Sequence, residues 1–232
     1  MFFKLVWKEW KENLWKLTFC SVVSLAFVAL LLRVRIIPDA AVCALISIIQ
    51  LFVVPIVYCL DIFSGEMSNK TIHLLFKVPV ERWKIFMSKY LVSIFSIALV
   101  FILSSLLMEF MSFGREMEQG YMLKNNLLNG VAALLLFTWF CPFACQSRSE
   151  AGSLASMCGV AIGFGIIFMW ACSCKIKWAL PFVPYIFIIK HTFYSGFLEL
   201  IDMIKIVLSQ ALSVSVAVSI ACLRYTKIRR YL

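Results

Sequence analysis

Charged side chains are scarce in this sequence. Only 15% of its 232 residues are Asp, Glu, Lys or Arg, against roughly 25% in a typical soluble domain. Apolar residues make up 63% of the chain, which is more than a soluble fold of this size can cover. The scarcity of charge therefore argues against a sizeable water-soluble domain, including a membrane-anchored catalytic one, and predicts that lipid surrounds most of the chain.

Acidic residues and histidines are scarcer still. The sequence has 12 Asp and Glu and 2 His against 22 Lys and Arg, a net charge of +10. In a lipid-embedded chain, such a basic excess is typical of cytoplasmic loops and of contact with anionic headgroups. We therefore expect membrane lipids, and no nucleic acid, among the partners. The nine cysteines lie mostly in apolar runs, where they behave as small apolar residues rather than as a disulfide framework.

Long apolar runs organise the chain. A helix needs about 20 mostly apolar residues to cross a bilayer, and the sequence predicts six spans, at about 15–32, 40–63, 88–111, 125–145, 152–173 and 203–223. This pattern predicts an all-α integral membrane protein with a single transmembrane domain over residues 1–232. Residues 174–202 are apolar but interrupted by Pro181 and Pro184, which favours short or re-entrant helices before the last span.

An amphipathic pattern over residues 2–17 precedes the first span. Its aromatic and leucine side chains recur at helical spacing, at Phe3, Trp7, Trp10, Leu14 and Leu17. Tryptophans on such a helix suit the headgroup zone, so we expect an interfacial helix on the cytoplasmic face. The distribution of Lys and Arg between the predicted loops places both termini in the cytoplasm of a multi-pass cell-membrane protein, and an even number of spans agrees.

The least lipid-like stretch is 64–89, of which residues 64–87 form a predicted cytoplasmic coupling segment. Gly65 can end the helix that leaves the second span, and Ser68 or Asn69 can cap a new short helix. Pro79 ends that helix, since the residue before a proline disfavours helical geometry, and a further helix is predicted to begin near Glu81. An ordinary charged loop remains the alternative interpretation.

The spacing of residues in this stretch resembles that of the ABC-2 class of ABC-transporter permeases. In that class a glutamate, a threonine, a leucine, a Pro-Val pair and an arginine follow one another at characteristic intervals. The matching residues are Glu66, Thr71, Leu75, Pro79, Val80 and Arg82, with Lys89 as the basic residue that opens the third span. Lys70 departs from the pattern, which usually has glycine there. The length, the N-terminal helix, the six spans and the re-entrant helices also look similar.

The resemblance implies a permease subunit of an exporter. Two protomers, identical or different, would pair around a translocation path, and each would seat a helix at 68–78 in a separate ABC ATP-binding subunit. Closure of those subunits would move spans 1, 2 and 5. The implied contact residues are Glu66, Ser68, Asn69, Lys70, Thr71, His73, Leu75 and Phe76, and the implied turn residues are Gly65, Pro79 and Arg82.

The sequence contains no Gly-x-x-x-x-Gly-Lys-[Ser/Thr] phosphate loop. We therefore expect ATP and Mg²⁺ to be bound by the partner subunit, no cofactor to be bound by this chain, and no enzymatic activity of its own. Two alternatives stay open, a membrane assembly or maturation factor without transport and a six-span membrane enzyme. The enzyme would need a paired Asp, a Ser/His pair or a metal cluster in the bundle, and the sequence suggests none.

Small and sulfur-containing residues in the spans carry weaker signals. Gly159 and Gly163 form a Gly-x-x-x-Gly in span 5, which permits close packing of protomers. Cys141 and Cys145 are soft metal ligands, but no third ligand lies nearby in the sequence, so no metal site is expected. The thioethers of the methionines from Met108 to Met122 could bind Cu(I), but methionine is also a usual apolar filler, so no metal site is expected there either. Gln50 lies in the middle of span 2, where it either hydrogen-bonds a neighbouring helix or lines a path.

Overall fold

Helices account for nearly all of the chain that a computed structural model describes, which is residues 2–33, 39–64, 80–112, 121–146, 149–173 and 200–227, and these ranges contain no strand. The six α-helices are α1 (Phe2–Arg33), α2 (Asp39–Cys59), α3 (Arg82–Ser112), α4 (Tyr121–Ala144), α5 (Glu150–Ser173) and α6 (Leu200–Lys227). A π-helix, Leu60–Ser64, continues α2. The predicted all-α class is confirmed.

Four helices contain segments long and apolar enough to cross a membrane, namely Arg82–Phe110, Asn126–Ala144, Glu150–Ile167 and Ile204–Lys227. The number rises to five if the two halves of α1 count as one span, and Ile49–Phe63 is a shorter apolar helix. The chain is therefore a multi-pass membrane protein. Length and composition of the described helices thus support four to five spans where the sequence predicts six.

α1 joins two elements that the sequence treats separately, the interfacial helix at 2–17 and the span at 15–32. Its halves, Phe2–Trp15 and Leu17–Leu31, meet at a bend of 44°. The predicted re-entrant segment at 174–202 lies outside the described residues up to residue 199, and α6 begins at Leu200.

The start of α5 shows how local sequence sets a helix boundary. The Ser149 hydroxyl accepts a hydrogen bond from the Gly152 amide at 3.2 Å, and the Ser149 carbonyl accepts one from the Ser153 amide at 3.0 Å. Glu150 follows in the first turn. A serine cap satisfies an amide that has no partner within the helix, and a carboxylate there suits the positive end of the helix dipole.

The chain divides into two compact units. Unit 1 comprises Met1–Val54 and Ser88–Leu134, and unit 2 comprises Pro55–Met87 and Leu135–Leu232. Unit 1 thus contains α1, most of α2, most of α3 and the first half of α4. Unit 2 contains the end of α2 with the π-helix, the first turn of α3, the second half of α4, and α5 and α6.

Within unit 1, α1 and α3 run side by side in the same direction. The Glu9 carboxylate lies 3.0 Å from the Lys89 ammonium, and the hydroxyls of Ser24 and Ser104 lie 3.4 Å apart. Both pairs are separated by 80 residues in sequence. Since Glu9 and Ser24 are about 22 Å apart along a helix, the two helices keep one register over most of a membrane thickness.

α2 packs against α1 and α3 and runs antiparallel to both. The Gln50 amide donates to the Ser24 hydroxyl at 2.7 Å and to the Ser104 hydroxyl at 3.0 Å. One turn earlier in α2, Ile46 packs with Val28 and Met108, one turn later in α1 and α3. This resolves the role of Gln50 in favour of hydrogen bonds between helices, and it fixes the level at which α2 meets the α1–α3 pair.

α4 also packs against α3 and runs antiparallel to it. The Asn126 amide donates to the Ser105 hydroxyl at 2.9 Å, and a Cβ added at Gly130 would lie 3.0 Å from Cβ of Phe101. The close approach of the two helices at Gly130 therefore needs a residue without a side chain. The consecutive helices of unit 1 thus alternate in direction, as serial membrane spans do.

Candidate functional site

The residues predicted to touch a partner lie outside the described residues. Residues 65–79 include the contact residues Glu66, Ser68, Asn69, Lys70, Thr71, His73, Leu75 and Phe76 and the turn residues Gly65 and Pro79. The structure does describe the helix ends that flank this stretch, up to Ser64 and from Val80 onward. These ends, with the predicted turn residue Arg82, form the candidate site, all of it within unit 2.

Three buried aromatic rings pack together at the flanks of residues 65–79. Phe63 precedes the stretch, Phe86 follows it in α3, and Tyr225 lies near the end of α6. The ring centroids are 5.5 Å apart for Phe63–Phe86, 5.7 Å for Phe86–Tyr225 and 6.4 Å for Phe63–Tyr225. None of the three is more than 1% exposed. Such ring pairs contribute about 0.5–1.5 kcal/mol each beyond area burial, so this aromatic cluster fixes both flanks against α6.

Arg82 joins the first turn of α3 to the last turn of α6. Its Nη1 donates to the Thr226 carbonyl at 2.9 Å. The last carbonyls of a helix have no partner within it and carry its partial negative charge. A guanidinium placed there satisfies a carbonyl and neutralises that charge, so Arg82 acts as a cap supplied by another helix.

A second arginine makes the same kind of contact at α4. Nη1 of Arg224, in the last turn of α6, donates to the Pro142 carbonyl at 2.9 Å, and its guanidinium lies 5.6 Å from the centre of the Phe143 ring. This distance suits a cation–π contact. Arg82 and Arg224 therefore link three helix ends in series, from the start of α3 to the end of α6 to the end of α4.

Glu81 sets the start of α3. Its carbonyl accepts hydrogen bonds from the amides of Lys84 at 2.9 Å and Ile85 at 3.4 Å. Its exposed carboxylate pairs with the Lys84 ammonium at 3.1 Å and accepts a hydrogen bond from the Trp83 indole. These bonds, that of Lys84 above all, lower the pKa of the Glu81 carboxyl below its ordinary value.

The π-helix Leu60–Ser64 was not predicted from the sequence. It follows Pro55, which lies inside α2 and offers no amide to the helix, and this proline is the signal that irregular geometry follows. π-Turns within helices occur often at functional sites. α5 packs against the π-helix, so α5 too contacts the chain just before residues 65–79.

Cys59 and Cys141 are fully buried with their sulfur atoms 4.0 Å apart. Both thiols also reach the Phe137 carbonyl, at 3.6 Å and 3.2 Å. Cys145 lies one turn after Cys141, also buried. Cys59 is therefore the neighbour that the spacing of Cys141 and Cys145 did not reveal, although among the described residues no group of three His, Cys, Asp or Glu can hold a metal ion.

The small-residue stripe of α5 has an open face. A Cβ added at Gly159 or Gly163 would have no neighbour within 4 Å among the described residues. Only 11% of the apolar segment of α5 is buried, against 50% for α3 and 61% for α4. The two glycines of the predicted packing motif thus face no described part of the protomer.

Comparison with known families names the class of this helical membrane protein. The family model described as ABC-2 family transporter protein matches residues 6–170, from α1 through most of α5 and including 65–79. The chain therefore belongs to the ABC-2 transporter family, and it is a membrane subunit of a transporter. No curated protein matches the chain.

Proposed function

We propose that this chain is the permease subunit of an ABC exporter, driven by ATP that a separate ATP-binding subunit hydrolyses. The match to the ABC-2 family over residues 6–170 carries this proposal. The partner binds ATP and Mg²⁺ and receives the coupling helix at 68–78. The transported substrate is unidentified, and this chain contributes the membrane path.

Unit 2 supplies a route by which movement of the coupling helix reaches the spans. The aromatic cluster of Phe63, Phe86 and Tyr225 ties both flanks of residues 65–79 to α6. From there Arg82 holds the end of α6, and Arg224 holds the end of α4. A shift of the flanks is therefore transmitted to α6 and α4 as well as directly into α3.

Six spans with both termini in the cytoplasm give a topology that agrees with the helix directions. In unit 1, α1 and α3 are parallel, while α2 and α4 oppose them. In unit 2, the start of α3 meets the end of α6. These directions support a proposed topology of six alternating crossings, in which residues 65–79 and the C-terminus would be on the same side.

A second protomer, identical or not, would complete the permease. The open glycine face of α5 at Gly159 and Gly163 supports packing between protomers there, since glycines allow two helices to approach closely.

Copurification tests the proposal. The native chain, extracted in mild detergent, is expected to bring with it an ATP-binding subunit that carries a phosphate loop. The double variant Leu75→Asp/Phe76→Asp is expected to insert normally and lose that subunit, because it places charge on the apolar edge of the coupling helix. The matched control is Lys77→Asp, which changes the net charge by the same amount in the same segment and is expected to retain the subunit.

Two results would contradict the proposal. The absence of any ATP-binding protein with the native chain would argue against an ABC permease. Equal retention of the subunit by the double variant and by Lys77→Asp would remove residues 68–78 from the contact.

A further inference from the structure

The contact between α1 and α3 in unit 1 is lined by polar side chains. On α1 and α3 they are three, four or eight residues apart, and these spacings keep them on one face of each helix. Together with Gln50 of α2 they form what we call the polar seam, defined by Glu9, Asn13, Ser21, Ser24, Gln50, Lys89, Ser93, Ser96 and Ser104.

Two contacts mark the ends of the seam. At one end the Glu9–Lys89 ion pair is almost fully enclosed, with side chains 2% and 3% exposed. At the other end Gln50 bridges Ser24 and Ser104. Ser21 lies between Glu9 and Ser24 on α1, and Ser96 lies between Lys89 and Ser104 on α3.

Part of the seam is satisfied by its own helices. Asn13 donates to the Glu9 carbonyl at 2.9 Å, and Ser93 donates to the Lys89 carbonyl at 2.7 Å. These side chains need no further partner to remain buried.

Four buried polar atoms in the seam differ, because they have no hydrogen-bond partner among the described residues. They are Oε1 of Glu9, Oγ of Ser21, Oε1 of Gln50 and Oγ of Ser96. All four side chains are more than nine-tenths buried. Buried polar atoms in folded proteins are almost always paired, and each unpaired one costs about 1–3 kcal/mol.

The buried Glu9–Lys89 ion pair is a second reason to expect further hydrogen-bond partners in the seam. A carboxylate and an ammonium removed from water are stable together only when further hydrogen bonds satisfy the remaining lone pairs. In Glu9, Oε2 meets Lys89, and Oε1 has no partner among the described residues. Several small molecules that both donate and accept hydrogen bonds would satisfy these atoms, which are the Glu9 carboxylate oxygen, the Gln50 amide oxygen and the two serine hydroxyls.

We propose that the polar seam is a binding site for water, with bound molecules joining Ser21 and Ser96 each to its own polar neighbours between the Glu9–Lys89 pair and Gln50. Buried water typically makes two to four hydrogen bonds to such otherwise unpaired groups. Unit 1 thus carries a hydrated interior strip through a membrane-embedded bundle. The inference concerns unit 1 alone and does not depend on the transported substrate or on the ATP-binding partner.

The sign of a stability change tests it. Removing a dry, unpaired hydroxyl relieves a penalty and stabilises the protein, whereas removing one that is bonded to water loses those bonds. We expect Ser21→Ala and Ser96→Ala each to lower the unfolding temperature of the full chain in detergent by about 2–4 °C, measured by tryptophan fluorescence. Ser93→Ala is the matched control, since the Ser93 hydroxyl is bonded to its own helix, and it is expected to lose less.

A double variant tests whether Ser21 and Ser96 bind separate waters. The register of α1 against α3 sets the two serines five residues, about 7.5 Å, apart along the helices, so we expect the loss in Ser21→Ala/Ser96→Ala to equal the sum of the two single losses. An unfolding temperature that is unchanged or raised in either single variant would overturn the proposal, because the hydroxyl would then be dry. A loss in the double variant well short of that sum would overturn the assignment of separate waters to Ser21 and Ser96.

Discussion

Unit 1 and unit 2 differ in the side chains that hold their helices together. The interior of unit 1 holds an ion pair, a glutamine and several serines and asparagines between its helices, as at Lys89, Gln50 and Asn126. The interior of unit 2 holds aromatic rings and thiols, as at Phe86 and Cys141, beside buried polar side chains such as Gln210, and its arginines act at helix ends. The units thus differ in where these charged side chains act, between helices in unit 1 and at helix ends in unit 2.

The difference follows from the solvent. Lipid gives no hydrophobic drive for one helix to meet another, so packing and hydrogen bonds between helices decide their register. In unit 1 the contacts occur along the helices, and the 80-residue offset at Glu9–Lys89 and Ser24–Ser104 sets α1 against α3. In unit 2 the contacts with arginine occur at the ends, next to residues 65–79. The arginine contacts of unit 2 therefore lie where we propose that movement of residues 65–79 reaches the helices.

The largest effect should come from breaking the ion pair of unit 1. Lys89→Met leaves the Glu9 carboxylate buried without its cation, which costs about 3–5 kcal/mol. We expect a large drop in the unfolding temperature in detergent. The matched control is Lys84→Met in unit 2, where the pair with Glu81 is partly exposed and such pairs contribute only about 0–1 kcal/mol.

A double variant separates charge from packing at the same place. Glu9→Gln/Lys89→Met removes both charges, and it is expected to recover much of the stability lost in Lys89→Met. Equal unfolding temperatures for Lys89→Met and Lys84→Met would contradict the contrast between a buried and a surface pair.

The smallest effect concerns pH at the start of α3. Because the pKa of Glu81 is lowered in the folded chain, its bonds to Lys84 and Trp83 are present above the ordinary carboxyl pKa and are lost as pH falls through the lowered value. The fluorescence of Trp83, taken as the difference between the native chain and Trp83→Phe, should stay constant from pH 8 to about pH 5 and change only in more acidic buffer. A change centred near neutral pH would contradict this assignment.

Local features of the sequence were sufficient to predict the class of the protein. Hydropathy predicted an all-helical membrane protein, and the spacing from Glu66 to Arg82 led to the ABC-2 family that the comparison then showed. Both signals come from residues that are close together in the sequence, so a single sequence is enough to detect them. The number of spans depends on how bent or short helices such as α1 and Ile49–Phe63 are counted, which hydropathy does not settle.

Long-range pairings had no such signal. Arg82 and Thr226 are 144 residues apart, and nothing in either local pattern predicts that one caps the other. On α1 the sequence drew attention to Phe3 and Trp7, which the structure leaves exposed, while Glu9 is buried. In lipid an apolar face can point outward and a polar one inward, so amphipathic spacing alone does not tell which face packs.

The proposed function requires that movement of residues 65–79 reach α6 through Arg82, which bonds the Thr226 carbonyl. Hydrogen–deuterium exchange tests it in the complex with the copurified ATP-binding subunit, with and without ATP plus vanadate. In the native complex we expect nucleotide to change exchange in residues 65–79 and in the last turn of α6. In Arg82→Leu only the first change should remain, whereas Lys84→Met should keep both. A nucleotide-dependent change at α6 that persists in Arg82→Leu, or is missing from the native complex, would contradict the account.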